Sequence, residues 1–211
     1  LDPYARVVAF PRGVEAATVD EFVGGADVVV DECDGLEIKL LLRERARAAR
    51  LPVVMATSHR GMLDVERFDL EPERAPFHGL LGGVTAAELA GLTTKQKVPY
   101  VIRILDPASL SHRAAASMIE VKESVSTWPQ LASDVALGGA MVTNAVRRIA
   151  LGQLAVSGRF FADMDELIAQ PVALALPEPP SASSPDPRPS MEDELRFIVA
   201  CACTAPSGGN M

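Results

Sequence analysis

The sequence predicts an α/β fold, and three adjoining segments carry that prediction. Residues 26–30 form a short apolar, β-branched run that is typical of a strand buried on both faces. Residues 36–50 place their apolar side chains on one stripe of a helix, with Lys39 and Arg43 outside it, and residues 52–57 form a second apolar run. A strand, a helix and a strand joined by short connections predict a parallel right-handed βαβ unit.

Composition indicates a globular chain without a membrane span. The 211 residues are 48% apolar, which is enough to bury a sizeable core. The formal net charge of −8 lacks the basic footprint expected of a nucleic-acid-binding protein. There is no run of 18 apolar residues, and the first residues do not resemble a signal peptide. Because three cysteines are too few for a disulfide framework, we expect a cytoplasmic protein. The acidic charge and the lack of a long apolar run predict no nucleic-acid partner and no membrane partner.

Further elements are expected in the main body, which we place at residues 1–170. The other predicted strands lie at 5–10, 62–70 and 98–105. Residues 62–70 alternate apolar with polar side chains, which is typical of a half-exposed strand. The other predicted helices lie near 85–92, near 107–118 and from about Pro129 to Leu151.

The longest predicted helix has recognisable ends and an unusual middle. Thr127 is its expected N-cap, and Gly152 follows its last turn. Gly138 and Gly139 stand in mid-helix, at a cost of about 1–2 kcal/mol relative to alanine. That cost suggests close packing against another helix, which a dimer interface could supply.

A proline-rich segment separates the main body from the last residues. Seven prolines lie between 171 and 189, and proline neither donates to a sheet nor continues a helix. We therefore expect an extended linker over 171–189. Residues 190–211 begin something new, with a helix expected to run through Ala202.

An acidic turn follows the first buried strand. Residues 31–35 read Asp-Glu-Cys-Asp-Gly, at the carboxyl end of a strand, where ligands bind in open α/β sheets. Carboxylates there could hold Mg²⁺ together with a nucleotide phosphate. Asp34 and Glu37 alternatively match a capping box for the following helix, which requires no ligand. Cys33 is expected to be a poor nucleophile, because neighbouring carboxylates raise the pKa of a thiol.

Residues 27–57 resemble the second half of the ThiF/MoeB adenylyltransferase fold, which is related to ubiquitin-activating enzymes. Members of that family have a strand, an Asp-x-x-Asp-Asn turn, a helix with an early arginine, and a strand of the type P-V-V-x-x-A. The resemblance covers roughly residues 1–170 and reaches Gly61 and the long helix. It implies a three-layer, Rossmann-like half-domain with a mixed sheet and helices on both of its faces. It also implies a homodimer and a substrate carboxylate on a small molecule or small protein.

The resemblance also implies roles for two residues of this turn and helix. In that family the second Asp of the turn helps to place Mg²⁺ and ATP for adenylation, and Asp34 stands at the matching position. Asp34 is thereby the implied catalytic, cofactor-binding and metal-binding residue. Lys39 replaces the helix arginine as an implied cofactor-binding residue, and Gly35 replaces the asparagine. Lysine keeps the charge of arginine but loses its bidentate fork, which weakens control of a phosphate.

Other parts of the family's machinery have no counterpart in this sequence. The glycine-rich phosphate loop belongs to the family's first half, and no G-x-G-x-x-G or Walker sequence occurs in the 211 residues. No cysteine between Met62 and Trp128 could serve as the family's thioester cysteine. We therefore expect this chain by itself to bind ATP feebly and not to adenylate.

The last residues resemble the start of the FMN-dependent nitroreductase fold. Residues 205–210 read Ala-Pro-Ser-Gly-Gly-Asn after a predicted helix, and that family has A-P-S-x-x-N in the same setting. The resemblance implies that Ser207 and Asn210 help to hold FMN in a downstream domain, while this chain is too short to enclose the flavin. As a bare pattern, P-S-G-G-N is also an ordinary turn.

A ThiF-like part followed by a nitroreductase-like part resembles the actinobacterial MoeY-like fusions of a ThiF domain with a nitroreductase domain. We expect this chain to be an internal fragment of such a parent, spanning the junction. In one hypothesis the parent is an ATP-dependent adenylyltransferase fused to an FMN oxidoreductase, and the fragment is inactive. In the other, the ThiF-like part has lost catalysis and is a binding or dimerisation module for the flavin domain.

Overall fold

The computed structural model describes residues 4–105, 110, 116–118, 120–121, 123–126 and 130–169. These residues all belong to one unit, Leu1–Gln170. The predicted linker at 171–189 and the predicted helix of 190–211 lie outside the described residues, as do Ser207 and Asn210.

A four-stranded mixed sheet is the centre of the fold. Its strands are β1 (Val29–Val30), β2 (Pro52–Thr57), β3 (Met62–Arg67) and β4 (Gly158–Phe161), in the order β1-β2-β3-β4. β1 and β2 are parallel neighbours, with Val29 beside Val53. β2 and β3 are antiparallel, as are β3 and β4. The predicted pair of adjacent parallel strands is confirmed.

Helix α2 (Leu36–Ala48) connects the two parallel strands, as the sequence predicts. Its buried stripe begins at Leu36 and includes Leu40 and Leu42. The helix ends where Arg50 adopts a left-handed backbone with φ of 55°, just before the chain enters β2. The short α1 (Val19–Val23) packs against α2.

Helices cover both faces of the sheet. On the α2 side, Val53, Met55 and Met62 pack in one core with α1, with a 3₁₀ turn (Pro76–Gly79) and with α3 (Ala86–Ala90). On the other side, Val54, Leu63 and Val65 pack against α5 (Ala132–Ala150). The described residues also include helices α4 (Thr94–Leu105) and α6 (Met164–Leu167). The predicted mixed α/β class is confirmed.

Two predicted strands are wrong. Residues 5–10 have no strand structure, and Val7 and Val8 are exposed rather than packed against a sheet. Residues 98–105 belong to helix α4, where Ile104 is buried and Tyr100 and Val101 pack against the core. A short apolar run has no periodicity that separates a buried strand from a buried helix.

The start of α4 shows a signal that favours the helix. The Gln96 side-chain oxygen accepts a hydrogen bond from the Thr93 backbone N–H at 2.8 Å. The Gln96 N–H in turn lies 3.4 Å from the Thr93 hydroxyl. This reciprocal arrangement is a capping box, and the pattern T-x-x-Q was present in the sequence.

Strand β3 differs from the half-exposed strand that the alternation predicts. All six residues from Met62 to Arg67 are buried. One face contributes Leu63 and Val65 to the α5 side, while Asp64 and Glu66 point to the α2 side. The polar positions are buried because charged partners from neighbouring elements surround them.

Helix α5 confirms the longest predicted helix, with corrections at its start and middle. It begins after Leu131, whereas the expected N-cap Thr127 lies outside the described residues. A Cβ at Gly138 would lie 3.1 Å from the Ala56 Cβ of β2, and one at Gly139 would meet nothing within 4 Å. The close approach at Gly138 is therefore to this chain's own sheet, not to another helix.

Two further helix predictions differ in outcome. The helix near 85–92 is confirmed as α3, which starts with a capping box between Thr85 and Glu88. The helix predicted near 107–118 lies largely outside the described residues. No helix of the described part of the chain has both the length and the apolar character needed to cross a bilayer.

Candidate functional site

Asp34 lies in the loop between β1 and α2, at the carboxyl edge of the two parallel strands, and is exposed. Gly35 occupies the N-cap of α2 and no side chain caps that end. The predicted capping box of Asp34 and Glu37 is therefore wrong. Glu37 instead accepts a hydrogen bond at 2.7 Å from the Lys97 Nζ of α4. Although burial raises the pKa of Glu37, this bond with Lys97 holds it below its ordinary value.

The first acid of the turn, Asp31, has a different environment. Its side chain is fully buried and pairs with two cations of α2, Lys39 at 3.3 Å and Arg43. The Cys33 N–H also donates to Asp31 Oδ1, at 3.1 Å. Although burial raises the pKa of Asp31, the charges of Arg43 and Lys39 lower it overall. Asp31 is thus an ionised acid that holds the lysine predicted to contact phosphate.

Arg43 is the centre of this buried charge cluster. Its Nε donates to Glu66 Oε2 at 2.5 Å and its Nη1 donates to Asp31. Its guanidinium carbon lies 3.8 Å from the centre of the Phe77 ring, which is a cation–π contact. Burial lowers the pKa of Arg43, but Glu66 and Asp31 raise it more, so the guanidinium stays charged. A fully buried guanidinium is tolerable here because its neighbours compensate its charge.

Strand β3 supplies the other two acids of the charge cluster. Asp64 Oδ2 lies 3.0 Å from His78 Nε2 and 3.1 Å from Arg159 Nε. Burial raises the pKa of Asp64, but the bond to His78 and the nearby Arg43 lower it below its ordinary value. The pKa of Glu66 is raised, because burial and the Asp64 charge outweigh Arg43.

The 3₁₀ turn presents Phe77 and His78 to this cluster through a strained backbone. Both residues are left-handed, with φ of 51° and 55°. Such a conformation costs a non-glycine residue on the order of 1–3 kcal/mol. The cost is offset by the fully buried Phe77 ring and by the contact of His78 with Asp64. Sequence reasoning missed the role of this turn.

Contacts between the loop after β2 and the start of α6 cover the edge of the sheet where Asp34 lies. β1, β2 and β4 point the same way, so the loop after β2 and the start of α6 lie at this edge. Arg60 pairs with Asp163 at 2.7 Å and with Glu166 at 2.6 Å. Gly61 has φ of +54°, and a Cβ there would lie 2.4 Å from the Ala162 carbonyl oxygen. Only glycine fits that approach without a shift of the backbone.

Cys33 behaves as the sequence predicts. Burial raises the pKa of its thiol, and the Asp31 charge raises it further. The thiolate, which is the nucleophilic form, is therefore disfavoured. Cys201 and Cys203 lie outside the described residues.

The groups around Asp34 fit a phosphate-bound Mg²⁺ poorly. Lys39 is held by Asp31, and Glu32 accepts a hydrogen bond from the Ala56 N–H at 3.0 Å. Within the part of the chain that the structure describes, no three acids, histidines or cysteines are grouped to hold a metal. The metal role of Asp34 therefore stays a prediction.

A small cavity lies elsewhere, between α5 and β4. Its volume is about 180 Å³, and its walls include Leu63, Met141 and Phe160, with Asn144 and Arg148 as polar members. Sites for small molecules usually span about 300–1,000 Å³. This cavity is therefore too small for a nucleotide or a flavin.

The chain is similar to a protein of Mycobacterium tuberculosis (strain CDC 1551 / Oshkosh) described as uncharacterized protein MT1398. The two are 48% identical over 221 residues, a match that covers the whole of this chain. The matched region is 30% of the mycobacterial protein, so this chain spans less than a third of that relative's length. No protein-family model and no solved structure matches the chain.

Proposed function

We propose that residues 1–170 are a ThiF/MoeB-like half-domain that serves as a binding module in a longer protein and has lost adenylation. The observation that carries this proposal is the pairing of Lys39. Its ammonium lies at the position matching the family's helix arginine, yet it contacts the buried, ionised Asp31 at 3.3 Å. To contact a phosphate, Lys39 would have to leave a buried acid without part of its compensation.

The architecture supports the ThiF-like part of the proposal. A strand, the acidic turn, α2 and a parallel strand follow one another as the resemblance implies. The chain then turns at Gly61 into an antiparallel strand, and α5 packs on the opposite face. In this proposal the layers are those of a Rossmann-like nucleotide fold whose phosphate-binding half lies outside this chain.

The second candidate is an adenylyltransferase parent, and the position of Asp34 favours it. Asp34 is exposed at the carboxyl edge of parallel strands, where a nucleotide would lie in such a fold. If a glycine-rich loop from another part of the parent reached this edge, Asp34 would be its Mg²⁺ ligand. The substrate would then be a carboxylate on a small molecule or a small protein.

ATP–pyrophosphate exchange by this chain is the first test of the binding-module proposal. We expect no exchange above background for the wild-type chain or for Asp34→Ala. The matched control is Asp27→Ala, which removes an exposed aspartate from the opposite end of the same strand. Exchange that is lost in Asp34→Ala and kept in Asp27→Ala would refute the binding-module proposal.

The same comparison in the longer parent tests whether the missing half restores activity. The binding-module proposal expects equal ATP turnover in the wild type, in Asp34→Ala and in Asp27→Ala. A selective loss of at least about tenfold in Asp34→Ala, equal to about 1.4 kcal/mol, supports the adenylyltransferase parent instead.

The flavin part of the proposal belongs to the downstream domain. We propose that Ser207 and Asn210 hold FMN in the parent and that oxidoreductase chemistry takes place there. The expected result is weaker FMN binding by the parent carrying Ser207→Ala and Asn210→Ala, measured by flavin fluorescence. Unchanged FMN affinity would remove these two residues from the proposal. A homodimer, as the resemblance implies, also stays a prediction.

A further inference from the structure

The segment Glu71–Gly79 packs on the α2 side of the sheet and is held there by contacts of two kinds. Its inner contacts reach the charge cluster, where the His78 N–H lies 3.3 Å from Glu66 Oε1 and the Phe77 ring lies under Arg43. Its outer contacts include the ion pair in which Arg74 donates to Glu71 at 2.6 Å, and Glu71 also contacts Ser157 outside the segment. The strained Phe77 and His78 depend on these contacts to keep their left-handed conformation.

The His78 ring joins the inner and the outer contacts. Its Nδ1 lies 3.0 Å from Arg74 Nη1, and its Nε2 lies 3.0 Å from Asp64 Oδ2. A guanidinium has no acceptor, so Nδ1 must be the unprotonated acceptor of this pair. The single ring hydrogen is then on Nε2 and is donated to Asp64. These two contacts fit an imidazole whose hydrogen is on Nε2.

Charged groups face this ring from each element packed against it. They are Asp64 and Glu66 of β3, Arg159 of β4, Arg43 of α2, and Arg74 with Glu71 of the segment itself. The ring is close to solvent, with 14% of its side chain exposed, so a proton can reach it. Histidine is the side chain that ordinarily changes charge between about pH 5 and 8.

A proton on Nδ1 would affect the two ring contacts in opposite directions. It would place two cationic N–H donors 3.0 Å apart, so the Arg74 contact must break. The contact with Asp64 would become stronger, because an ionised pair replaces a neutral donor. Arg74 is only partly buried and keeps Glu71 as a partner, so it can swing outward.

We propose that Glu71–Gly79 is a pH-sensitive latch whose outer contact, between Arg74 and His78, opens when His78 takes up a proton. The inner contacts keep the strained Phe77 and His78 in place, while Arg74 loses its tie to the ring and the turn from Glu71 to Arg74 opens more readily. This inference does not depend on the proposed function, because the contacts of the His78 ring with Arg74 and Asp64 include neither Asp34 nor Lys39.

Nuclear magnetic resonance on the isotope-labelled full chain tests the latch directly. At pH 8 the ring nitrogen shifts should identify a neutral His78 with its hydrogen on Nε2. As His78 protonates, the Arg74 amide, which donates to the Glu71 carbonyl at 3.0 Å, should lose at least about tenfold in hydrogen-exchange protection. The His78 amide should keep its protection because its bond to Glu66 remains.

His78→Gln provides a variant that cannot titrate, since one amide can accept from Arg74 and donate to Asp64. Its Arg74 amide should stay protected throughout the range from pH 8 to pH 5. His59→Gln is the matched control, because it removes another histidine and should leave the response unchanged. Arg74→Met lacks the outer contact and should show low, pH-independent protection even if His78→Gln fails to fold.

Three results would overturn the latch. They are a hydrogen on Nδ1 at pH 8, protection of the Arg74 amide that is unchanged by protonation of His78, and a pH response that survives in His78→Gln or Arg74→Met. These readouts involve no nucleotide, so they are separate from the test of adenylation.

Discussion

The two faces of β3 differ in what they bury. Toward α5 the strand presents Leu63 and Val65 to an apolar core. Toward α2 it presents Asp64 and Glu66, which are fully buried but ionisable. The alternating side chains of one strand thus contribute to an apolar core on one face and to a charge cluster on the other.

The difference shows that the two faces are stabilised in different ways. Each apolar side chain on the α5 side contributes by its own burial, at about 25 cal/mol per Å² of apolar surface. On the α2 side each charge is tolerable only while its partner remains, because an unpaired buried charge is costly. The α2 side should therefore be the more sensitive to loss of a single partner.

The largest effect is expected from Arg43→Met. This change leaves Asp31 and Glu66 buried without their common cation and should lower the free energy of unfolding by about 3–5 kcal/mol. Urea unfolding followed by circular dichroism measures the change. In the triple variant that adds Asp31→Leu and Glu66→Leu, much of this loss should be recovered. A triple variant less stable than Arg43→Met would contradict the pairing argument.

On the opposite face, Ile149→Ala should lower the free energy of unfolding by about 2–4 kcal/mol. Ile149 belongs to α5 and lies in the same apolar cluster as Val65, on the face of the sheet opposite the charge cluster. Its effect should therefore add to that of Arg43→Met within about 0.5 kcal/mol. A double-mutant cycle measures this, and a coupling above 1 kcal/mol would show that the two faces are not independent.

The pH dependence of stability should differ between the faces. Asp31 and Asp64 have pKa values below their ordinary ones in the folded state. Their contribution is present above about pH 4 and is lost as the pH falls through the folded values. Glu66 has a raised pKa and acts in the opposite sense, losing its contribution as the pH rises through its folded value.

Asp64→Asn removes one of the two buried carboxyls whose pKa is lowered in the folded state. Its free energy of unfolding should fall less steeply between pH 4 and pH 2 than that of the wild type, in urea titrations at each pH. Leu63→Ala, from the other face of the same strand, should keep the wild-type slope. Equal slopes for Asp64→Asn and the wild type would contradict an ionised, stabilising Asp64.

The smallest effects are expected from the glycine pair of α5. Gly139→Ala has open space and should stabilise the helix by about 0.5–1 kcal/mol. Gly138→Ala would place its Cβ 3.1 Å from Ala56 and should be less stable than Gly139→Ala by about 1 kcal/mol or more. Thermal unfolding compares the two. Equal stabilisation would show that the helix has room to shift from the sheet.

Sequence patterns predict the elements in which each apolar side chain is buried without a specific partner from a distant segment. The apolar runs of β1 and β2 and the apolar stripe of α2 are of this kind, and so is α5. The run at 98–105 could not be resolved by hydrophobicity, because Val101 and Ile104 suit either a strand or a helix. Its Thr93 and Gln96 capping pattern was the available signal.

The charge cluster could not be predicted, because it depends on contacts between distant segments. The sequence pattern predicts Arg43 on the polar part of α2 and Asp64 and Glu66 on a solvent face, as their residue types favour. His78 reaches Asp64 only through two left-handed residues that have no glycine or asparagine to indicate them. Asp34 was expected at the carboxyl edge of the sheet and lies there, while its role remains a prediction.

Mg²⁺–ATP binding tests the central claim, that the cations of α2 stabilise the fold and do not serve a nucleotide. The measurement is the free energy of unfolding in urea, with and without about 10 mM Mg²⁺–ATP. Binding with a Kd of about 1 mM would raise that free energy by about 1.4 kcal/mol. The account predicts no change beyond error for the wild type, Asp34→Ala and Asp27→Ala. A gain of 1 kcal/mol or more that Asp34→Ala loses and Asp27→Ala keeps would contradict it.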